Sequence, residues 1–151
     1  MAKRSSRNGR PLTLDDLEHL GELDGGIQEY ETAVTLSKRK VTLILYPDSA
    51  ASCVEKCLDY ANRLIENFPD VEAKLGAYLT VKALPAWNKI APDGQRVSEK
   101  DLAKDATLHS ICIHANGERS FAFATRKLFG GHSIVLRATP RNRILDMDTP
   151  G

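Results

Sequence analysis

Apolar and polar residues alternate along the first third of the chain in a way that predicts a β-hairpin over residues 27–46. From Tyr30 to Leu36 the side chains follow the two-residue period of a half-buried strand. After the polar stretch Ser37–Lys40, the sequence VTLILY at positions 41–46 is apolar on both faces, as expected of a central strand. This hairpin is the first predicted element of a sheet.

Apolar residues at helical spacing predict a pair of helices after the hairpin. Positions 54–68 place apolar side chains on one face of a helix and charged side chains on the other. Pro69 suits the first turn of a second helix, which Pro85 is expected to end or kink. A further short helical turn is expected after Ser98, which with Asp101 resembles a capping box.

A second group of strands is predicted after the helices. The stretch 109–114 alternates apolar and polar residues, and Asn116-Gly117 is the pair preferred in a type I′ turn. Phe121 and Phe123 on the returning strand are expected to point into the core, and two more strands are expected between residues 132 and 148. The order ββ-αα-ββββ predicts an α+β fold with an antiparallel sheet of about five to six strands and the helix pair packed on one face.

Length and composition indicate one cytoplasmic domain. The chain has 151 residues, which suits a single α+β domain over residues 12–151 preceded by a disordered basic tail at residues 1–11. No apolar run is long enough to cross a bilayer, and no hydrophobic block follows the basic N-terminus, so neither a membrane span nor a secretory signal is expected. Cys53 and Cys57 share one face of the predicted helix, where core packing is expected instead of a metal site.

Charge is unevenly distributed along the chain. The first ten residues carry four positive charges, so the remainder has a net charge of −3, which argues against a general nucleic-acid binder. Residues 11–37 are acidic without any Lys or Arg, and residues 119–145 are basic without any acid. Either these strands complement each other across one sheet, or the acidic segment presents a contact edge to a basic partner. The candidate contact residues are Asp15, Asp16, Glu18, Asp24, Glu29 and Glu31.

No catalytic motif stands out. The chain has no nucleophile elbow and no phosphate-binding loop, and no cofactor or metal site is expected. Cys112 lies in the middle of a strand, where it is expected to be buried and inert. His132 is a weak catalytic candidate because it follows two glycines at a bend, where it either fixes the turn or works as an acid or base with Asp146 or Asp148.

The C-terminal sequence Phe129-Gly130-Gly131-His132, followed by an apolar strand, resembles uncharacterised bacterial families with a Phe-x-Gly-His strand signature. The resemblance extends over residues 14–151, although Lys127 and Leu128 stand where the pattern has acidic or glycine residues. Some members of such families are proposed as toxin-immunity proteins, so the resemblance implies a bacterial source and a protein-binding role. The leading hypothesis is therefore a non-enzymatic protein-binding domain of the immunity type. The sequence leaves two alternatives open: a small hydrolase or ligand-binding enzyme centred on His132, and a nucleic-acid accessory protein that uses the basic tail.

Overall fold

The computed structural model describes residues 10–48, 52–91, 94 and 96–149, and for Ser52 and Cys53 it describes the backbone alone. Most of the predicted tail therefore lies outside the described residues, as does the side chain of Cys53. Cys57 is completely buried in the core, as predicted.

Seven strands form one sheet in which the spatial order equals the order along the chain. The strands are β1 (Glu18–Glu22), β2 (Gln28–Leu36), β3 (Arg39–Tyr46), β4 (Thr107–His114), β5 (Arg119–Ala124), β6 (Ile134–Ala138) and β7 (Ile144–Asp148). Every neighbouring pair is antiparallel except β3 and β4, which run parallel. The sheet is therefore mixed but mostly antiparallel.

The prediction of an antiparallel sheet of five to six strands was wrong in two respects. First, β3 and β4 run parallel to each other. The chain leaves the end of β3, passes through the helices and enters β4 in the same direction, so the helices form the long crossover that a parallel pair requires. The additional strand is β1, which has no buried residue and contains an irregularity between His19 and Gly21. It therefore lacks the alternation by which strands are recognised in a sequence.

The helices connect β3 to β4. They are α1 (Ser52–Glu66), α2 (Phe68–Tyr78), α3 (Leu84–Ile90) and α4 (Glu99–Asp105), and a π-helical turn (Leu79–Ala83) joins α2 directly to α3. Pro85 lies in the first turn of α3, immediately after the π turn. The helix therefore changes its hydrogen-bond pattern before Pro85 and then continues.

The core lies between the helices and one face of the sheet. Phe121 is fully buried and Phe123 is nearly so, which confirms the predicted orientation of both rings. The other inward side chains are aliphatic and alternate along their strands, as in Leu43 and Leu45 or Ile111 and Ile113. The opposite face of the sheet is not covered by any element within the described residues, and its side chains are half-buried or exposed.

The turn between β4 and β5 differs from the predicted type I′ turn. Gly117 has a φ of 89° while Asn116 has none of the positive φ that a type I′ turn requires, and the Gly117 N–H donates to the His114 carbonyl at 2.9 Å. The turn is thus a three-residue loop that ends in a left-handed glycine. The turn between β2 and β3 lies within the polar stretch 37–40, where Ser37 and Lys38 are both left-handed with φ values of 50° and 66°.

Candidate functional site

The open face of the sheet carries a row of side chains that crosses all seven strands. Each member of this cross-sheet row pairs in register with the next one, so the side chains project from the same face. From β1 to β7 the row consists of Glu18, Glu31, Ile44, Cys112, Ser120, Arg137 and Asp146. The row begins with two carboxylates and ends with an ion pair, in which the Arg137 guanidinium lies 2.6 Å from Asp146.

Glu18, Glu29 and Glu31 form the acidic edge of this face. Glu18 lies directly opposite Glu31, and Glu29 lies two residues from Glu31 on the same side of β2. Like charges in directly opposed positions destabilise a sheet, so this arrangement works against the fold of the isolated chain. Of the ion pairs formed among the described residues, neither involves these three glutamates.

A groove of about 730 Å³ adjoins the acidic edge at the end of the sheet where β3 and β4 finish. Its walls include Leu23, Ile27, Tyr46, Cys112, His114 and Glu118. This sheet groove therefore combines exposed apolar residues at its rim with aromatic and carboxylate groups inside.

Tyr46 connects the sheet groove to the acidic edge. Its ring stacks on the ring of His114, with centroids 5.4 Å apart and planes inclined by 20°. Its hydroxyl donates to Oε2 of Glu29 at 3.5 Å. Burial raises the pKa of Tyr46, and the nearby charges act in the same direction, so the hydroxyl stays protonated and remains a donor.

Cys112 lies on the floor of the same groove and is half-buried, so the prediction of a buried residue was wrong. Because Ile111 and Ile113 point into the core, strand alternation places Cys112 and His114 together on the open face. The alternation of residues 111–114 in the sequence already indicated this placement. Burial nevertheless raises the pKa of the Cys112 thiol, and a hydrogen bond with Ser120 opposes the rise only in part. A thiol activated for nucleophilic attack needs the opposite shift.

The predicted acidic contact residues divide into three groups. Glu18, Glu29 and Glu31 form the acidic edge, whereas Asp15 and Asp24 are exposed on 3₁₀ turns that flank β1. Asp16 is buried. It accepts hydrogen bonds from Arg10 at 3.1 and 2.9 Å and from the Thr13 N–H at 2.8 Å.

Asp16 is therefore a structural residue and not part of a contact surface. The hydrogen bond from Arg10 is the main cause that lowers its pKa to about 2. The charge of Asp16 is neutralised inside the fold, where a partner cannot reach it.

The signature turn at residues 128–131 places His132 at its end. The Thr125 hydroxyl contacts the carbonyls of Leu128 at 2.9 Å and of His132 at 2.7 Å, so side chain and backbone together fix the turn. The His132 ring is exposed, and it forms no hydrogen bond with any other described residue. The Asp146 carboxylate accepts a hydrogen bond from Arg137, and Asp148 pairs in register with Val135 of β6. Neither carboxylate is hydrogen-bonded to His132 in the described part of the chain.

The acidic and basic segments do not face each other, so the interpretation that they complement each other across the sheet was wrong. β3 and β4 separate the acidic strands β1 and β2 from the basic strands β5 and β6. Arg119 is also buried, where it donates to the Gly117 carbonyl at 3.1 Å and to Oδ1 of Asn142 at 2.9 Å. Its guanidinium lies 5.9 Å from the centroid of the Tyr60 ring, so it fixes two turns to α1.

None of the helices within residues 10–48, 52–91, 94 and 96–149 is long and apolar enough to cross a membrane. No group of three or more His, Cys, Asp or Glu side chains in those ranges is arranged to hold a metal ion.

A family model described as "Uncharacterized protein conserved in bacteria (DUF2262)" matches residues 16–148, which include all seven strands and all four helices. No curated protein and no solved structure gives a match.

Proposed function

We propose that this chain, which belongs to the uncharacterized bacterial family DUF2262, is a protein-binding domain whose open sheet face recognises a basic partner. One observation carries the proposal. The acidic edge and the sheet groove lie side by side on the uncovered face, and the Tyr46–Glu29 hydrogen bond joins them.

The electrostatics of the acidic edge favour a cationic partner. Glu18 and Glu31 are held opposite each other by the register of β1 and β2, and each raises the negative potential at the other. A lysine or arginine of a partner that lies between them replaces repulsion with attraction. Fixed carboxylates on an open face also accelerate association with a positively charged protein, most strongly at low ionic strength.

The sheet groove suits a side chain of such a partner. Leu23 and Ile27 are 44% and 38% exposed and offer apolar contact at the rim. Inside, the stacked rings of Tyr46 and His114 present an aromatic surface beside Glu118 and Glu29. An arginine is able to stack on such rings while its guanidinium pairs with a carboxylate. By covering a basic functional surface of its partner, the domain acts in the manner of an immunity protein.

Titration with a nona-arginine peptide tests the proposal. The variant Glu18→Gln/Glu29→Gln/Glu31→Gln is compared with Glu55→Gln/Glu66→Gln/Glu99→Gln, which removes the same charge from exposed helix positions. We expect the first variant to bind at least about tenfold more weakly than the wild type, a loss of about 1.4 kcal/mol, and the second to bind like the wild type. Equal weakening in both variants would mean that net charge, and not the acidic edge, determines binding.

A further inference from the structure

A second cavity lies at the other end of β5, on the helical side of the molecule. It has a volume of about 660 Å³ and lies between α3, α4 and the loop that follows β5. Four cationic side chains line it: Arg96, Lys104, Arg126 and Lys127. We refer to it as the cationic cavity.

The carboxylates in the wall of this cavity are already engaged by hydrogen-bond donors. Asp105 accepts hydrogen bonds from three successive backbone N–H groups, those of Arg126, Lys127 and Leu128, each at 3.1 Å. Asp101 accepts from the Ser98 N–H at 3.2 Å and from its hydroxyl at 3.0 Å. Neither ion pair found among the described residues includes a cation of the cavity. The wall of the cavity thus carries four positive and two negative charges, and none of its cations forms an ion pair with another described residue, although Lys104 acts electrostatically on Asp101.

The loop that supplies two of these cations is held in a defined conformation. Its continuation, Phe129, has a φ of 52°, a left-handed conformation that is strained for a bulky residue. The Phe129 ring contacts Trp87 edge-to-face, with centroids 5.6 Å apart, and Asp105 caps the loop from the other side. Strained backbone that the surroundings hold in place is typical of binding sites, where it positions groups before a ligand arrives.

We propose that the cationic cavity binds a small molecule that carries phosphate groups. Arginine guanidinium groups match phosphate oxygens in two-point hydrogen bonds, and lysine adds a mobile positive charge. The volume is within the range of small-molecule sites, about 300–1,000 Å³. Trp87, which is buried at the cavity wall, supplies an apolar surface next to the cations. This site is separate from the acidic open face and does not depend on the proposed partner.

Trp87 is the only tryptophan of the chain, so its fluorescence reports on the cavity directly. We expect inorganic pyrophosphate to change the emission of Trp87 with saturation at low millimolar concentration or below, and calorimetry to give the same affinity. Citrate, a polycarboxylate without phosphorus, should bind more weakly at equal ionic strength. Binding of a single-stranded oligonucleotide without binding of pyrophosphate would overturn the proposal of a small ligand.

Matched variants locate the binding. Lys104→Gln/Lys127→Gln removes two cations of the cavity, and Lys56→Gln/Lys74→Gln removes two exposed lysines of α1 and α2. The first variant should bind pyrophosphate at least about tenfold more weakly than the wild type, and the second should bind like the wild type. Absence of pyrophosphate binding to the wild type, or equal losses in the two variants, would contradict the proposal.

Discussion

Replacing Asp16 by asparagine tests whether this buried carboxylate stabilises the fold independently of the acidic edge. The Asp16 side chain is 8% exposed and pairs with Arg10, whose side chain is 39% exposed. Asparagine keeps the shape of the side chain but removes the charge and weakens its hydrogen bonds with Arg10 and the Thr13 N–H. We therefore expect the variant to be less stable without any change in the open face.

The expected loss of stability follows from the lowered pKa of Asp16. Folding lowers the pKa of Asp16 from 3.8 to about 2, chiefly through the hydrogen bond from Arg10 and to a smaller extent through Thr13, which at about 1.4 kcal/mol for each pKa unit corresponds to roughly 2 kcal/mol. Because water reaches the Arg10 side of the pair and screens it, we expect a smaller loss of about 1–2 kcal/mol in the free energy of unfolding at neutral pH.

The stability that the Asp16 carboxylate contributes depends on pH. A carboxyl whose pKa is lowered by folding stabilises the protein above its ordinary pKa, and the stabilisation disappears as the pH falls through the lowered value. The difference in stability between wild type and Asp16→Asn should therefore be full above about pH 4 and shrink towards about pH 2.

Urea unfolding of both proteins at a series of pH values measures this difference. Taking the difference cancels the titration of the other carboxyl groups, which the two proteins share. A gap that is the same at neutral and at strongly acidic pH would refute the assignment of the stabilisation to the charge of Asp16.

Three further outcomes are expected. Gly117→Ala should destabilise the protein by about 2–4 kcal/mol, because a Cβ there would lie 2.6 Å from the Tyr60 ring. Gly76→Ala, with open space around it, should instead stabilise α2 by about 0.5–1 kcal/mol. Thermal unfolding of the two variants compares these effects. Asp105→Ala should speed hydrogen exchange of the backbone amides at 126–128 above the wild-type rate, and an unchanged rate would contradict the capping role. In a variant whose other two cysteines are replaced by alanine, Cys112 should react with iodoacetamide more slowly than N-acetylcysteine at the same pH, since burial raises its pKa.

Local patterns in the sequence determined the elements that have one buried face. The hairpin of β2 and β3, the helix α1, the capping box at Ser98 and the inward Phe121 were all predictable, because each depends on residues close together in the chain. The parallel pairing of β3 with β4 was not, because it depends on where the chain returns after the whole helical segment.

The candidate site was predictable only in part. Glu18, Glu29 and Glu31 were recognised as acidic, but their common face depends on the register between β1 and β2. The position of Cys112 beside His114 followed from strand alternation and was within reach of the sequence. The internal role of Asp16 had only the weak signal of a threonine three residues before it.

Chemical-shift mapping tests the location of binding on the open face most directly. A ¹⁵N-labelled chain titrated with the nona-arginine peptide reports every backbone amide separately. We expect the largest shifts in β1 and β2 around Glu18 and Glu31 and at the ends of β3 and β4 around Tyr46 and His114. Shifts concentrated on α1 to α4, or spread evenly over the surface, would contradict the claim that the open face of the sheet is the binding surface.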